Sequence, residues 1–490
     1  MSATSEQTAL RTLANYVAGE WTTVQGAETL DVRNPATGEL LARVPLSGAA
    51  DVDAAVSAAR VAAAAWGQTS PLVRMRALMR LRDRLDERRE EIARLVTLDM
   101  GKTIDDARGE VGRGIESVEA ACGAPHLLKG ENLAGVARGV DVELVREPVG
   151  VVAAITPFNF PAMIPLWFLP FAVATGNAVI LKPSEQDPLA SELILEIVDG
   201  VDELPPGVVS LVHGARAAVS GLLEHPGVDA VSFVGSAATA QYVAETAIAH
   251  GKRVQALGGA KNALVVMPDA DPSTMAAGVC ASAFGAAGQR CLAGSIAVLV
   301  GERAEQQRSL ELILAAAREL RVGDGADPAV DVCPLVSPAA RERVEGEIAA
   351  ALEEGCELVL DGRQGGGAGG AELGPTIVDG AAPDSRMIRE EIFGPVLALA
   401  RAETLEGALE LVNASRYGNS SVIFTSSGGS AREFRAQVQA GMVGVNIGVA
   451  APVAWFPFAG WKDSFAGDLH ANGHDAFDFY TRRKVITSRW

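Results

Sequence analysis

Residues 150–156 read GVVAAIT, and four further runs of the same kind follow: AVILKPS (178–184), VVSLVHG (208–214), DAVSFVG (229–235) and VQALGG (254–259). Their cores are continuously apolar rather than apolar at alternate positions, which predicts strands buried on both faces. Helix-length segments separate them, giving a repeat of about 25 to 30 residues, as parallel strands joined by crossovers require. The fold class is therefore α/β, a parallel sheet covered on both faces. Such a sheet takes its ligands beyond the carboxyl ends of its strands. A second alternating region runs from residue 262 to about 446 and contains the low-complexity loop GGGAGG (365–370), expected at the surface.

Upstream, helices are expected over 50–65 and 71–100. For the second, Ser70 suits the N-cap, Pro71 the first helical position and Gly101 the exit. Residues 127–146 and the tail FYTRRKVITSRW (479–490) have strand character outside any core pattern, and are expected to pair as an arm. Residues 148–181 carry no charge over a length that could span a bilayer. Five prolines interrupt that stretch, so a buried strand, loop, short helix and strand are expected instead.

The composition of the 490 residues, 48% hydrophobic and 21% charged, is that of a globular protein, and its length predicts about three domains. A net charge of −19 disfavours nucleic acid and anionic membrane surfaces as partners. Five scattered cysteines give neither a disulfide framework nor a metal-ligand spacing, and the amino terminus lacks the apolar core of a secretory leader. A cytoplasmic protein without a bound metal is expected.

Three junctions carry possible chemistry. No GxGxxG fingerprint follows any of the five apolar runs, but Gly235 and Ser236 join a strand to a helix, where first-turn amides can hold a pyrophosphate. Lys182 and Glu185 follow a buried strand and suit ribose hydroxyls; the Glu185 carboxylate would repel a 2′-phosphate, favouring NAD over NADP. Cys291 follows Arg290, whose charge is expected to favour the thiolate, and a thiolate attacks carbonyl carbon.

These fragments, with TPFNFP (156–161), FVGS (233–236), GQRC (288–291) and EEIFGP (390–395), resemble the aldehyde dehydrogenase superfamily in order and spacing over essentially the whole chain. The resemblance implies a Rossmann-type NAD-binding domain (1–126 and 147–256), an α/β catalytic domain (257–446) and a β-strand oligomerisation arm (127–146 and 470–490). It implies Cys291 as nucleophile and Asn159 as an oxyanion donor, such donors being worth roughly 3 to 4 kcal/mol each. It implies that Thr156, Phe158, Lys182, Glu185, Gln186, Gly235, Ser236, Glu391 and Phe393 hold NAD, and that the assembly is a homotetramer built from dimers.

One departure narrows the activity. Hydrolytic members have a glutamate in an ELGG motif that activates water; here Ala256 stands in ALGG. A thiol acceptor, with a pKa near 8.5, needs that base less than water does. The segments HGKRVQALGGAKN (250–262) and FPFAGWKDSFAGDLHANG (456–473) resemble the CoA-acylating methylmalonate-semialdehyde dehydrogenases. That resemblance implies coenzyme A as co-substrate. It also implies that Arg113 and Arg290 grip a substrate carboxylate, and that (methyl)malonate semialdehyde becomes propionyl-CoA or acetyl-CoA with loss of CO2. Gln289 departs from the glutamate usual there. The alternatives are a hydrolytic aldehyde dehydrogenase, with another carboxylate in the missing role, and a nucleotide-binding scaffold without turnover.

Overall fold

The computed structural model describes residues 10–490; residues 1–9, the start of the stretch inspected for a leader, lie outside them. The five apolar runs form neighbouring parallel strands. Their spatial order is Val209–Leu211, Ala178–Lys182, Val151–Ile155, Ala230–Val234, Arg253–Leu257. From 151–155 the chain works outward on one side, then returns to lay 230–234 on the other. The crevice between those two strands is the topological switch point, where a doubly wound sheet opens to ligands. Asn15–Val17 extends this sheet antiparallel at one edge and Phe465–Gly467 at the other. Along 151–155, Val152 and Ala154 enter one apolar layer while Val151, Ala153 and Ile155 enter the opposite one, which is why the runs carry no polar alternation.

The second region forms a seven-stranded sheet from Asn262–Val266 to Met442–Val445, parallel except for the edge strand Glu357–Leu360. The arm contains Glu131–Ala137, Val140–Pro148 and Thr481–Arg489, with Thr481 opposite Pro148 and Arg489 opposite Val140. The tail therefore pairs with the upstream arm as expected. Its arm portion is shorter than 470–490, because Gly473–Phe479 is a helix that buries Phe477 and Phe479 in the first core, followed by buried Tyr480. The expected 71–100 helix is likewise two, Pro71–Glu87 and Arg89–Met100, broken where Arg88 leaves helical geometry (φ −104°, ψ 13°). Ser70 Oγ accepts from Leu72 N at 3.3 Å and Gly101 exits at φ 87°, so both ends fall where the caps place them. Among the described residues no helix is long and apolar enough to cross a membrane.

The charge-free segment supplies the helix Met163–Ala174, every residue of which is buried. A buried helix exposes its end groups to nothing but protein, so each end needs a partner of the right sign. At the amino end, Glu110 Oε1 accepts from Ala162 N (2.9 Å) and Met163 N (3.1 Å). At the carboxyl end, Arg74 Nε donates to Ala174 O (3.0 Å) and its Nη1 to Thr69 O (2.8 Å). Burial pushes the Arg74 guanidinium down to about 10. Arg74→Met would orphan these carbonyls in an apolar setting. It is expected to destabilise the chain by about 2–4 kcal/mol, read as a lower urea midpoint than that of the exposed-face control Arg76→Met.

Candidate active site

The residues expected to hold a dinucleotide gather at the switch point. Thr156 follows the central strand, its N donating to Lys182 O at 3.0 Å, and its buried Oγ1 has no partner among the described residues. Lys182 ends the neighbouring strand with its Nζ 2.9 Å from Glu185 Oε2. Gln186 is exposed beside them. Across the crevice, Gly235 lies against the Phe233 ring in space a Cβ would fill. Ser236 caps the helix Ala237–Ala249, its Oγ accepting from Thr239 N at 3.4 Å. An unpaired hydroxyl, a lysine–glutamate pair, a bare glycine and a helix amino terminus around one crevice fit a pyrophosphate and its riboses. Phe158 meets Phe393 edge to face at 5.8 Å between ring centres, so the loops expected to bracket the nicotinamide end touch. Phe393 is strained, with φ 54°, and Arg343 holds its segment by donating to Ile392 O (2.6 Å) and Phe393 O (3.3 Å).

Cys291 sits behind a tight turn in which Ala286 (φ 49°), Ala287 (φ 52°) and Gly288 (φ 68°) are all left-handed. Two consecutive alanines in that region cost roughly 1–2 kcal/mol each and persist only where the surroundings enforce them. Gln289 supplies part of that enforcement: its buried Oε1 accepts from Val336 N (3.0 Å) while Nε2 donates to Ala286 O (3.3 Å). The Cys291 carbonyl is held by two side-chain amides, Asn262 Nδ2 at 2.9 Å and Asn419 Nδ2 at 2.8 Å. That orientation leaves the opposite, N–H edge of the nucleophile for another partner. Asn262, Asn419 and Arg343 were not anticipated from sequence. Asn262 closes the ALGGAKN stretch, but nothing local marks Asn419 or Arg343.

Asn159 lies in the loop between the central strand and the buried helix. Its main-chain oxygen accepts from Lys102 Nζ at 2.8 Å, leaving the side-chain amide for another partner. Lys102 also pairs with Glu110, both being fully buried, and lies 3.9 Å from the Phe160 ring centre. A cavity of about 290 Å³ joins Cys291 to Phe160, Trp167 and Phe458 on its apolar side and to Arg113 and Arg290 on its charged side. Both arginines are thus in one pocket, and each already has a carboxylate: Arg290 Nη2 is 2.7 Å from Asp106 Oδ1, and Arg113 Nη1 is 2.8 Å from Glu116 Oε2.

The electrostatics correct one expectation. Burial, reinforced by the negative charge of Glu391, pushes the Cys291 thiol up to about 12; the N–H groups of Cys291 and Leu292 oppose this, and Arg290 contributes least. Arg290 is a weak activator because its guanidinium is spent on Asp106. Glu391 is itself raised to about 7 by burial, against the Ala260 N–H (2.9 Å) and the charges of Lys261 and Arg343. Ala256 carries no carboxylate, and its methyl is packed in the layer beneath Ala237–Ala249, on the opposite face of the sheet from the layer Cys291 touches. The acidic group acting on the sulfur is Glu391. As pH rises through about 7, Glu391 ionises and opposes thiolate formation. Glu391→Gln should therefore speed iodoacetamide alkylation of Cys291 in the cofactor-free protein above pH 7 and change it little below pH 6, as followed by mass spectrometry of the labelled peptide.

Comparison with known proteins agrees with this geometry. The aldehyde dehydrogenase family model matches residues 21–486. The chain is 49% identical over 492 residues to malonate-semialdehyde dehydrogenase 1 of Geobacillus kaustophilus (strain HTA426), covering 100% of each. It superposes on the crystal structure of methylmalonate-semialdehyde dehydrogenase from Oceanimonas doudoroffii with a TM-score of 0.95 and 44% identity, over 98% of this chain and 99% of that one. An NAD-dependent aldehyde dehydrogenase from Sinorhizobium meliloti superposes with a TM-score of 0.93 and 32% identity, over 98% and 95%. A family model that matches residues 21–486, with relatives and solved structures alike along almost all of the chain, establishes that the chain belongs to the aldehyde dehydrogenase family.

Proposed function

We propose that this protein oxidises malonate semialdehyde or methylmalonate semialdehyde with NAD and delivers the acyl group, after loss of CO2, to coenzyme A. The observation that carries the reading is the presence of Arg113 and Arg290 in the same cavity as Cys291. Two guanidinium groups suit a carboxylate, to which each donates in parallel pairs. The relatives named for malonate and methylmalonate semialdehydes support that substrate class.

In this reading the Cys291 thiol gives its proton to solvent in the cavity, and Sγ then attacks the aldehyde carbon and forms a hemithioacetal. Its oxyanion is received by the side-chain amide of Asn159 and the N–H of Cys291. Asn262 and Asn419 hold the Cys291 carbonyl and so fix where that N–H points. NAD, when bound, supplies the acceptor for the hydride lost from carbon. Lys182, Glu185, Gln186, Thr156, Gly235 and Ser236 hold its adenosine and pyrophosphate side, and Phe158, Glu391 and Phe393 its nicotinamide side. The product on the enzyme is a Cys291 thioester. Its carbonyl accepts the electron pair released as the substrate carboxylate leaves as CO2; the α-carbon is then protonated. The CoA thiolate displaces Cys291 Sγ, giving acetyl-CoA from malonate semialdehyde or propionyl-CoA from the methyl homologue.

A second reading is favoured by one observation. Glu391, poised near neutrality and acting on the sulfur, is a carboxylate that could take a proton from water and make the enzyme hydrolytic. Its Oε1 is engaged by Ala260 N, which favours a binding role. The same proposal assigns residues 1–126 and 147–256 to nucleotide binding and 257–446 to catalysis. The arm, from 127–146 and the tail, would join protomers of a homotetramer: Leu133 and Val485 are exposed there, and Trp490 is 84% exposed.

With malonate semialdehyde and NAD, NADH production past the first turnover should need CoA, and mass spectrometry should show acetyl-CoA. Undiminished turnover without CoA, yielding free acid, would establish the hydrolytic reading. Cys291→Ala should abolish turnover while NAD binding, followed calorimetrically, persists. Arg113→Ala and Arg290→Ala should each raise KM for malonate semialdehyde by about tenfold relative to propanal. Equal losses for the two aldehydes would exclude carboxylate recognition.

A further inference from the structure

The charged side of the cavity is built from one helix face and one loop. Along Ile104–Ala121, Asp106, Gly109, Glu110, Arg113 and Glu116 border the cavity. A Cβ at Gly109, one turn from both Asp106 and Arg113, would meet nothing within 4 Å, so the helix is left bare where the two arginines approach. Arg290 reaches this face from the nucleophile loop. Its guanidinium lies on the bare backbone of Gly285, where a Cβ would come within 2.6 Å of Nη1, and that Nη1 donates to Ala281 O at 3.4 Å. Its remaining anchor is Asp106 at 2.7 Å.

Counting charge around this space, Lys102 and Glu110 cancel one another, Glu116 offsets Arg113 and Asp106 offsets Arg290. With Asp105 also on the lining, a pocket meant for an anion carries three positive and four negative side chains before the anion arrives. We propose that Asp106 is a specificity-determining residue: its carboxylate occupies Arg290 in the free enzyme, and the substrate's carboxylate must take the guanidinium over from it. The two side chains differ in freedom. Arg290 is 17% exposed and pinned by Gly285 and Ala281, whereas Asp106 is 31% exposed and in the first turn of its helix. Asp106 is therefore the partner that swings toward solvent, where the helix amino terminus still favours its charge. The residue sets a threshold. An aldehyde bearing a carboxylate at the reach of Arg290 exchanges one ion pair for another, while Asp106 opposes every anion by like-charge repulsion.

This inference rests on the reading that Arg290 receives the substrate carboxylate, and the test separates the two. For wild type, Asp106→Asn, Arg290→Ala and the double variant, kcat/KM is measured for malonate semialdehyde and for propanal with saturating NAD and CoA. Independently, malonate is titrated for its protection of Cys291 against iodoacetamide. Asp106→Asn keeps a hydrogen-bond acceptor beside Arg290 and removes the competing charge. The malonate-semialdehyde to propanal ratio should rise about fivefold, the scale of a half-exposed charge interaction, and malonate should protect at a correspondingly lower concentration. Asp106→Ser should move both readouts the same way. In the Arg290→Ala background the Asp106 substitution should move both readouts less than in wild type, because only the like-charge repulsion is left to relieve. If Arg290→Ala leaves the ratio unmoved, the carboxylate reading itself fails. If Arg290→Ala lowers the ratio but Asp106→Asn leaves it unchanged or lowers it, or malonate protection does not sharpen, Asp106 is only a structural partner of Arg290 and the inference is overturned.

Discussion

The buried ion pair between Lys102 and Glu110 is the constraint on which the catalytic geometry hangs. One carboxylate oxygen of Glu110 faces Lys102; the other receives the first amides of the buried helix 163–174. The ammonium in turn holds the main-chain oxygen of Asn159 and lies on Phe160. A buried pair of this kind is weak evidence of stability, because desolvation consumes most of its Coulomb attraction. Its effect is better described as registry. It joins helix 104–121, which lines the pocket, to the asparagine loop and to the helix behind it, so these three parts move together or not at all.

Cys291, the candidate nucleophile, is positioned by a separate system on the other unit. The left-handed turn at 286–288, the amide of Gln289 and the paired amides of Asn262 and Asn419 all act on main chain. The carbonyl of Cys291 is fixed from the second sheet, while Asn159 is fixed from the first. The cavity lies where these two independently braced loops face one another, with Cys291 on one side and Phe160 on the other. Partial burial and the charge of Glu391 both raise the Cys291 thiol, which favours its neutral form.

Much of this could be read along the chain. Uninterrupted apolar runs announced strands buried on both faces, and the punctuation of 148–181 by proline distinguished a core segment from a membrane span. Motif order then put forward Cys291, Asn159 and the crevice residues as candidates. What escaped was whatever depends on partners distant in sequence. Arg290 beside Cys291 suggested thiolate stabilisation, but its guanidinium turns to Asp106, far upstream. Ala256 marks the missing glutamate by its motif position alone; which layer its methyl enters depends on the pleat of the strand. Asn419 carries no local signature because its target, a backbone carbonyl, is present at every residue. Arg88 divides a helix whose periodicity runs on through the break, and Phe477, Phe479 and Tyr480 belong to the core although their neighbours in sequence belong to the arm.

The edge strand 465–467 and the aromatic residues at 477–480 complete the first sheet and its core, yet in the chain they come after the entire second unit. During synthesis, at roughly 5–20 residues per second, the amino-terminal half must therefore wait on the ribosome with one sheet edge uncovered and part of its hydrophobic interior unsealed. The seven strands of the second sheet all lie between 262 and 445, and the later residues that unit awaits are Trp461–Lys462, which pair with Tyr417–Gly418. The order of maturation is thus the reverse of the order of translation at one decisive step: the portion made first is finished last.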